Sequence, residues 1–466
     1  MGSLAPSDQK TFKTPWIETP LVESACLSRA AGCRVFLKLE NVQPSGSFKS
    51  RAMGNQILSH LQNPEYANRR VHFFASSGGN AGLAAVCAAR SLGYPCTVVV
   101  PVSTKPLMVE KLQAAGAADV IRHGENFFEA GAYMKDVIMK NTVEGEEDVV
   151  KIALHPFDNQ PIWEGNSTLI DELEKQLPAA ANAEEEEVYR GRALPLDAVL
   201  CSVGGGGLLN GLVMGLEKRR SQKHHNGFSS STGHAYIDTA SAETRTTAVP
   251  KQPSPIHLLA IETAGTDSLA AAIAKNSLVS LPKITSQATS LGAIRVSETT
   301  FQYAVAPPPG IKVHSTVLSD ADAARGVLRL ADDERLLVEL ACGVCVEAAI
   351  GDAATAASTS ALPVTGGQST KKRKRGSEDS VSQRDEGYGD DRLSSTDNET
   401  DLENDAEVDN HAGRVPSNSP QLKSKLKQLV PDLTSQSRVV IIVCGGSNVT
   451  IDMAGEWRKM LAEGWV

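Results

Sequence analysis

Apolar residues along this chain gather in short dense runs separated by stretches of helical period. The runs at 35–39, 71–75, 96–100 and 119–122 are rich in Val, Ile, Phe and Leu, and most end in turn-forming residues, which predicts strands. Helical spacing at 50–62, 81–92 and 106–115 fills the intervals. Residues 71–122 therefore read as a βαβαβ module, and such crossovers make the strands parallel. A second series begins near Val149, turns at His155-Pro156-Phe157-Asp158, and continues with helix 162–176, strand 197–203, helix 208–219 and strand 256–261. Helices at 268–274, 319–330 and 339–350 follow, and an apolar run at 439–443 closes a sheet. The alternation predicts an α/β fold with parallel sheets.

Two segments break the pattern. Residues 221–255 are rich in Ser, Thr, His and Lys without period, and 352–420 are poor in apolar residues and highly charged. Neither can bury enough apolar surface to offset the entropy of ordering, so both are predicted to be disordered surface insertions.

Length and composition add little beyond this. A chain of 466 residues, 41% hydrophobic and 22% charged, fits a globular protein of about two domains. No apolar run reaches bilayer length, and residues 1–10 lack a signal-peptide core, so the expectation is a cytoplasmic protein without a membrane or nucleic-acid partner. The net charge of −9 is explained by location, since residues 377–410 alone carry 13 acidic and 2 basic side chains. Lys371-Lys372-Arg373-Lys374-Arg375 reads either as a nuclear import signal or as a solvated basic cluster beside the acidic run. The eight cysteines show no paired zinc-finger spacing. Cys342 and Cys345, nominally a C-x-x-C, read as two small core residues of one helix.

The candidate chemistry lies where strands end. Ser45-Gly46-Ser47-Phe48-Lys49, Ser76-Ser77-Gly78-Gly79-Asn80-Ala81-Gly82, Val203-Gly204-Gly205-Gly206-Gly207-Leu208 and Val443-Cys444-Gly445-Gly446-Ser447-Asn448 each follow an apolar run. Sites in open α/β sheets are built at such carboxyl ends. Gly204 to Gly207 offer unhindered N–H groups at a helix start, which suits a phosphate, although the same run suits a tight turn. It is neither a P-loop nor a dinucleotide fingerprint. Lys49 is a candidate nucleophile toward an aldehyde if a pocket desolvates its amine, and an ordinary solvated lysine if not. Together they point to a phosphorylated aldehyde. Ser76, Ser77 and Asn80 suit a carboxylate, and Ser76 or Ser77 equally suits a helix N-cap.

These motifs, with Phe157-Asp158-Asn159, Ile162-Trp163-Glu164-Gly165, Ile261-Glu262-Thr263 and Leu278-Val279-Ser280-Leu281-Pro282-Lys283-Ile284-Thr285, resemble the fold-type II pyridoxal-phosphate enzymes. Within them the chain is most similar to the catabolic L-serine/L-threonine dehydratases. The resemblance covers nearly everything outside the two insertions. It implies a tryptophan-synthase-β-like architecture, with a small domain at 43–147 inserted in a larger one formed by 1–42 and 148–466, the cofactor between them, and a homodimer.

The resemblance also implies roles. Lys49 would hold pyridoxal 5'-phosphate in Schiff-base linkage and act as base at the substrate Cα. Phe48 would pack on the ring, Asn80 would bond its 3-hydroxyl, Gly204, Gly205, Gly206, Gly207 and Leu208 would hold the phosphate, and Cys444 would face the pyridine nitrogen. Ser76, Ser77, Gly78, Asn80 and Ala81 would take the substrate carboxylate, and Glu262, Thr266 and Ser268 would hold potassium, oxygen donors being suited to a hard ion. A neutral thiol at 444 is expected to limit charge delocalisation into the ring and to favour β-elimination over racemisation. L-serine would yield pyruvate and ammonia, and L-threonine 2-oxobutyrate. A serine racemase or β-replacing lyase is the rival on the same fold, and a catalytically silent scaffold the rival of another class. Leu340 departs from the Pro usual in relatives, and Gly78 is expected to leave more room beside the carboxylate loop than an Ala would.

Overall fold

In the computed structural model, residues 11–141, 148–228, 254–351 and 424–466 are described, without the side chains of 224–228. The β-branched runs assemble into two sheets. Chain order is β1 (Leu21–Glu23), α1 (Ala25–Ala31), β2 (Arg34–Lys38), α2 (Lys49–Leu61), β3 (Arg70–Ala75), α3 (Asn80–Ser91), β4 (Cys96–Val100), α4 (Pro106–Ala115), β5 (Asp119–Arg122), α5 (Phe127–Tyr133) and β6 (Val149–Leu154). Then come α6 (Gln160–Gln176), α7 (Ala183–Tyr189), β7 (Ala198–Ser202), α8 (Gly207–Phe228), β8 (Ile256–Thr263), α9 (Ser268–Lys275), α10 (Glu298–Val305), β9 (Ile311–Leu318), α11 (Asp320–Glu334) and α12 (Leu340–Ile350). A short helix Lys425–Leu429, strand β10 (Arg438–Ile442) and a last helix Ile451–Ala462 complete it.

The larger sheet runs β1-β2-β10-β7-β8-β9 and the smaller β5-β4-β3-β6. Every pairing is parallel except that of the short edge strand β1 with β2. Strands β7, β8 and β10 are buried at every residue, as strands covered by helices on both faces must be. Each sheet has its own apolar core, the larger including Leu200, Ile261 and Ile441, the smaller including Phe73, Val98 and Ile57.

Three readings change. The strand at 149–154, grouped above with the larger region, pairs with β3 in the smaller sheet, with Phe73 opposite Ile152. Strand β9 was not predicted, because its half-buried sequence IKVHSTVL interrupts the apolar run with Lys and His. Helix α8 continues to Phe228, past Arg219 and into the first predicted insertion. Residues 229–253 of that insertion, the whole second predicted insertion at 352–420 with its basic run Lys371 to Arg375, and the unit Ala357–Gln421 lie outside the described residues. No helix among the described residues is long and apolar enough to cross a membrane.

A buried ionic cluster anchors the helix that carries the lysine. Arg51, with no exposed surface, donates to Glu40 Oε1 at 2.7 Å and Oε2 at 2.8 Å, and to Glu172 Oε2 at 2.8 Å. Lys38 Nζ reaches Glu172 Oε2 at 2.5 Å and the Thr19 carbonyl at 2.6 Å. Two cations thus meet two carboxylates, with further hydrogen bonds, which is the condition under which buried charge is tolerated. The cluster ties α2 to α6 and to the end of β2 two residues beyond Lys49.

Candidate active site

The loops that the sequence singles out converge. The Phe48 N–H donates to the Cys444 carbonyl at 3.2 Å, the Gly446 N–H to the Gly46 carbonyl at 2.9 Å, and Ser47 bridges to Gly445. Gly445 and Gly446 hold φ of 80° and 116°, a region open to glycine, and a Cβ at 445 would lie 2.3 Å from the Gly46 carbonyl. The lysine turn and the cysteine turn are therefore locked backbone to backbone.

Lys49 Nζ donates to the Pro156 carbonyl at 2.8 Å and lies 5.2 Å from the Phe48 ring centroid. Burial pushes its pKa down to about 8, a smaller opposing influence coming from Cys444. The amine is thus one that sheds its proton near neutrality, as a nucleophile or base requires. Burial pushes the Cys444 thiol up to about 11, so it stays neutral, and its Sγ lies 3.5 Å from Ser202 Oγ.

The turn that accepts from Lys49 also backs the glycine loop. A Cβ on Gly205 would fall 2.1 Å from the Phe157 ring, one on Gly207 2.4 Å from the Phe157 carbonyl, and one on Gly206, with φ of 93°, 1.9 Å from Thr300 Oγ1. Only glycine fits at these three positions. Among the described residues the N–H groups of Gly204 to Gly207 donate to no protein acceptor, and they lie at the start of α8, next to Leu208. That is a cradle for an anion with no side-chain cation needed. A ligand with an aldehyde and a phosphate fits these residues: an amine of lowered pKa at one end, a glycine cradle at the other, a neutral thiol between the strands.

The Ser76–Ala81 loop opens α3. Its N-cap is Gly79 and no side chain caps the helix, so the N-cap reading of Ser76 and Ser77 does not hold. Ser77 Oγ accepts only the Gly79 N–H, at 3.3 Å. Gly78 is not spacious, because a Cβ there would meet Thr104 Cγ2 at 2.8 Å and Oγ1 at 3.0 Å. Leu340 is the first residue of α12, where a proline's missing N–H would have cost nothing, so the departure leaves the helix start intact.

The expected cation residues divide. Glu262, fully buried, accepts the Leu269 and Ala270 N–H groups at 2.8 and 2.9 Å, and burial lifts its pKa to about 8. It acts as a cap on α9. Thr266 Oγ1 is committed to Thr263, at 2.7 Å from its hydroxyl, while Ser268 Oγ is buried without a partner. No group of three metal-binding side chains exists among the described residues, and Cys342 and Cys345 are buried free thiols on α12, as expected of core residues.

Sequence reasoning missed Glu339 and Ser290. Both engage Asn80: its Nδ2 donates to Glu339 Oε1 at 3.0 Å and to Ser290 Oγ at 3.3 Å, while its Oδ1 accepts the Ser447 N–H at 2.9 Å. The only hint in the sequence was position, one residue before α12.

Comparison with known proteins agrees with this geometry. The family model "Pyridoxal-phosphate dependent enzyme" matches residues 13–365. An L-serine dehydratase of Saccharomyces cerevisiae (strain AWRI1631) is 37% identical over 331 residues, spanning 71% of this chain and 84% of that protein. The mouse (Mus musculus) "L-serine dehydratase/L-threonine deaminase" is 35% identical over 332 residues, 71% of this chain and 82% of its own. Among solved structures, a fungal L-serine ammonia-lyase from Rhizomucor miehei superposes with a TM-score of 0.63 at 24% identity, covering 96% of this chain and 99% of that one. Maize serine racemase gives 0.56 at 19% identity, covering 96% and 92%, and at these identities both attest the fold alone. The strand ends, the lysine turn and the glycine cradle thus lie in a chain that belongs to the pyridoxal-phosphate dependent enzyme family.

Proposed function

We propose that this chain is an L-serine dehydratase, eliminating water from L-serine to give pyruvate and ammonia and acting likewise on L-threonine to give 2-oxobutyrate. The observation that carries the reading is Lys49, an amine with pKa lowered to about 8, its turn locked to that of a neutral Cys444 and its nitrogen bonded to the Pro156 turn that backs a glycine cradle with unengaged N–H groups. The relatives' shared activity supports the substrate class. Pyridoxal phosphate, when bound, supplies the electron sink that makes the substrate α-proton acidic.

The remaining chemistry belongs to this chain. The uncapped N-terminus of α3, with the Ser76 and Ser77 hydroxyls, binds the substrate carboxylate and orients Cα. Neutral Lys49 Nζ removes the α-proton, and the resulting ammonium, held by the Pro156 carbonyl, can return a proton to the departing hydroxide as water. Hydrolysis of the released 2-aminoacrylate gives pyruvate and ammonia. The thiol at 444 cannot hold a pyridinium proton as a carboxylate would, which favours elimination over reprotonation at Cα. Potassium at Glu262 and Ser268, whose hydroxyl lacks a partner, and a homodimer belong to the same reading on the strength of the resemblance.

The test is product analysis of purified, cofactor-loaded protein with L-serine and potassium, measuring pyruvate and D-serine together. Dominant pyruvate supports the dehydratase. Dominant D-serine replaces it with a racemase, and neither product overturns both.

A further inference from the structure

Glu339 is the last residue before α12, yet its side chain does not cap that helix. It turns to the cleft instead, only 5% exposed. Oε1 accepts the Asn80 Nδ2–H at 3.0 Å and the Asn448 N–H at 2.8 Å, and Oε2 accepts the Ser290 hydroxyl. Both oxygens act only as acceptors, which is the bonding pattern of a carboxylate. No lysine or arginine pairs with it among the described residues. Gly446 makes the approach feasible, since a Cβ there would lie 2.4 Å from Glu339 Oε1.

The consequence falls on Asn80. Its amide is held from both sides, Oδ1 by the Ser447 N–H and Nδ2 by Glu339 and Ser290. An amide free to flip would present either a donor or an acceptor to the cleft. Here Glu339 forbids the flipped form, because that form would set the Asn80 carbonyl against the carboxylate and its NH2 against an N–H. The contact to Ser290, at 3.3 Å, is the weaker of the two Nδ2 bonds, so one N–H of Asn80 is available to a ligand oxygen.

We propose that Glu339 is a positioning residue for the cofactor: acting through Asn80, it fixes an N–H donor toward the cofactor's ring oxygen. The inference rests on the dehydratase reading only for the identity of the cofactor. A donor fixed at the ring oxygen strengthens the hold on the cofactor and tunes its visible absorption, so loosening that donor weakens binding and shifts the band.

The experiment uses full-length protein loaded with pyridoxal phosphate, as wild type, Glu339→Gln, Asn80→Ala and the double variant. Two quantities are read: the wavelength of the visible absorption band of the bound cofactor, and the cofactor dissociation constant. Glu339→Gln keeps the shape and an acceptor oxygen, so it separates charge from packing. Its visible band is expected to shift, and its cofactor affinity to fall by about 10-fold. In the Asn80→Ala background the same change is expected to weaken affinity no further, since the route through Asn80 is gone. An unshifted band in Glu339→Gln, or additive losses of affinity in the double variant, overturns the proposal. Should Glu339→Gln fail to fold, Ser290→Ala, which removes the hydroxyl joining Asn80 to Glu339, is expected to weaken cofactor affinity in the wild-type background but not in Asn80→Ala, and equal losses in both overturn the proposal. A wild type that develops no visible band with the cofactor refutes the family-based reading instead, so the two failures are distinguishable.

Discussion

Replacing the active-site lysine should make the cofactor-free protein more stable. Lys49 has its pKa lowered by burial from 10.5 to about 8, so below pH 8 the fold carries a desolvated ammonium that the unfolded chain keeps in water. Between pH 8 and 10.5 the unfolded chain binds a proton that the native one lacks, and stability rises with pH across that window. A difference of about 2.5 units corresponds to roughly 3 kcal/mol at neutral pH. Lys49→Met removes that penalty but strands the Pro156 carbonyl, a loss of about 1 kcal/mol, leaving a net gain of about 2 kcal/mol. With roughly 350 ordered residues this is about 3 °C in Tm. The assay is thermal unfolding of cofactor-free wild type and Lys49→Met at pH 7 and near pH 10. The variant should melt higher at pH 7, and the gap should shrink as the wild type loses its proton. A variant that melts lower at pH 7, or a gap independent of pH, refutes the claim that the amine is strained by burial.

Other perturbations give sharp outcomes. Gly78→Ala drives a methyl to 2.8 Å from Thr104, an overpacking worth about 1–3 kcal/mol. It should raise KM for L-serine about 10-fold by moving the carboxylate loop, and adding Thr104→Ala should restore it. Arg51→Met leaves Glu40 and Glu172 facing only Lys38 in a dry interior. A loss of about 3–5 kcal/mol is expected, read from the urea unfolding midpoint. Replacing residues 352–423 by a short glycine link should leave melting temperature and turnover nearly unchanged. The Lys425 N–H already donates to the Gly351 carbonyl at 2.7 Å, so the two ends of that segment are adjacent in the fold.

What the sequence made legible follows from what local pattern can encode. The βαβαβ module and the glycine loops were readable because double-sided burial demands β-branched runs and because tight strand-to-helix turns demand glycine. Sheet membership of 149–154 was not readable, since a strand's own residues do not say which neighbour it pairs with. The room at Gly78 was misjudged for a related reason: Thr104, from the loop after β4, fills it. Glu339 escaped because a single glutamate before an apolar helix looks like ordinary dipole complementation. Its use is visible only once Gly446, over a hundred residues later, is brought against it. Lys49 and Cys444 were found because their turns carry glycine and small residues in a recognisable order, while the shift in the lysine's proton affinity needed the Pro156 turn packed around it.

The order of strands in the larger sheet also bears on how the protein is born. Strand β10 lies between β2 and β7, although among the described strands it is the last to leave the ribosome. Until residue 442 has emerged, the sheet exists as two halves, each with an open apolar edge, and the turn bearing Cys444 has nowhere to dock. The smaller sheet, whose strands all lie between residues 70 and 154, can form long before that. Translation therefore places a long interval between a finished substrate-loop module and the closure of the sheet that completes the pocket, with the exposed edges inviting mispairing throughout. The nascent chain should depend on shielding by chaperones until β10 and the turn bearing Cys444 are made, and should be unable to retain cofactor before then.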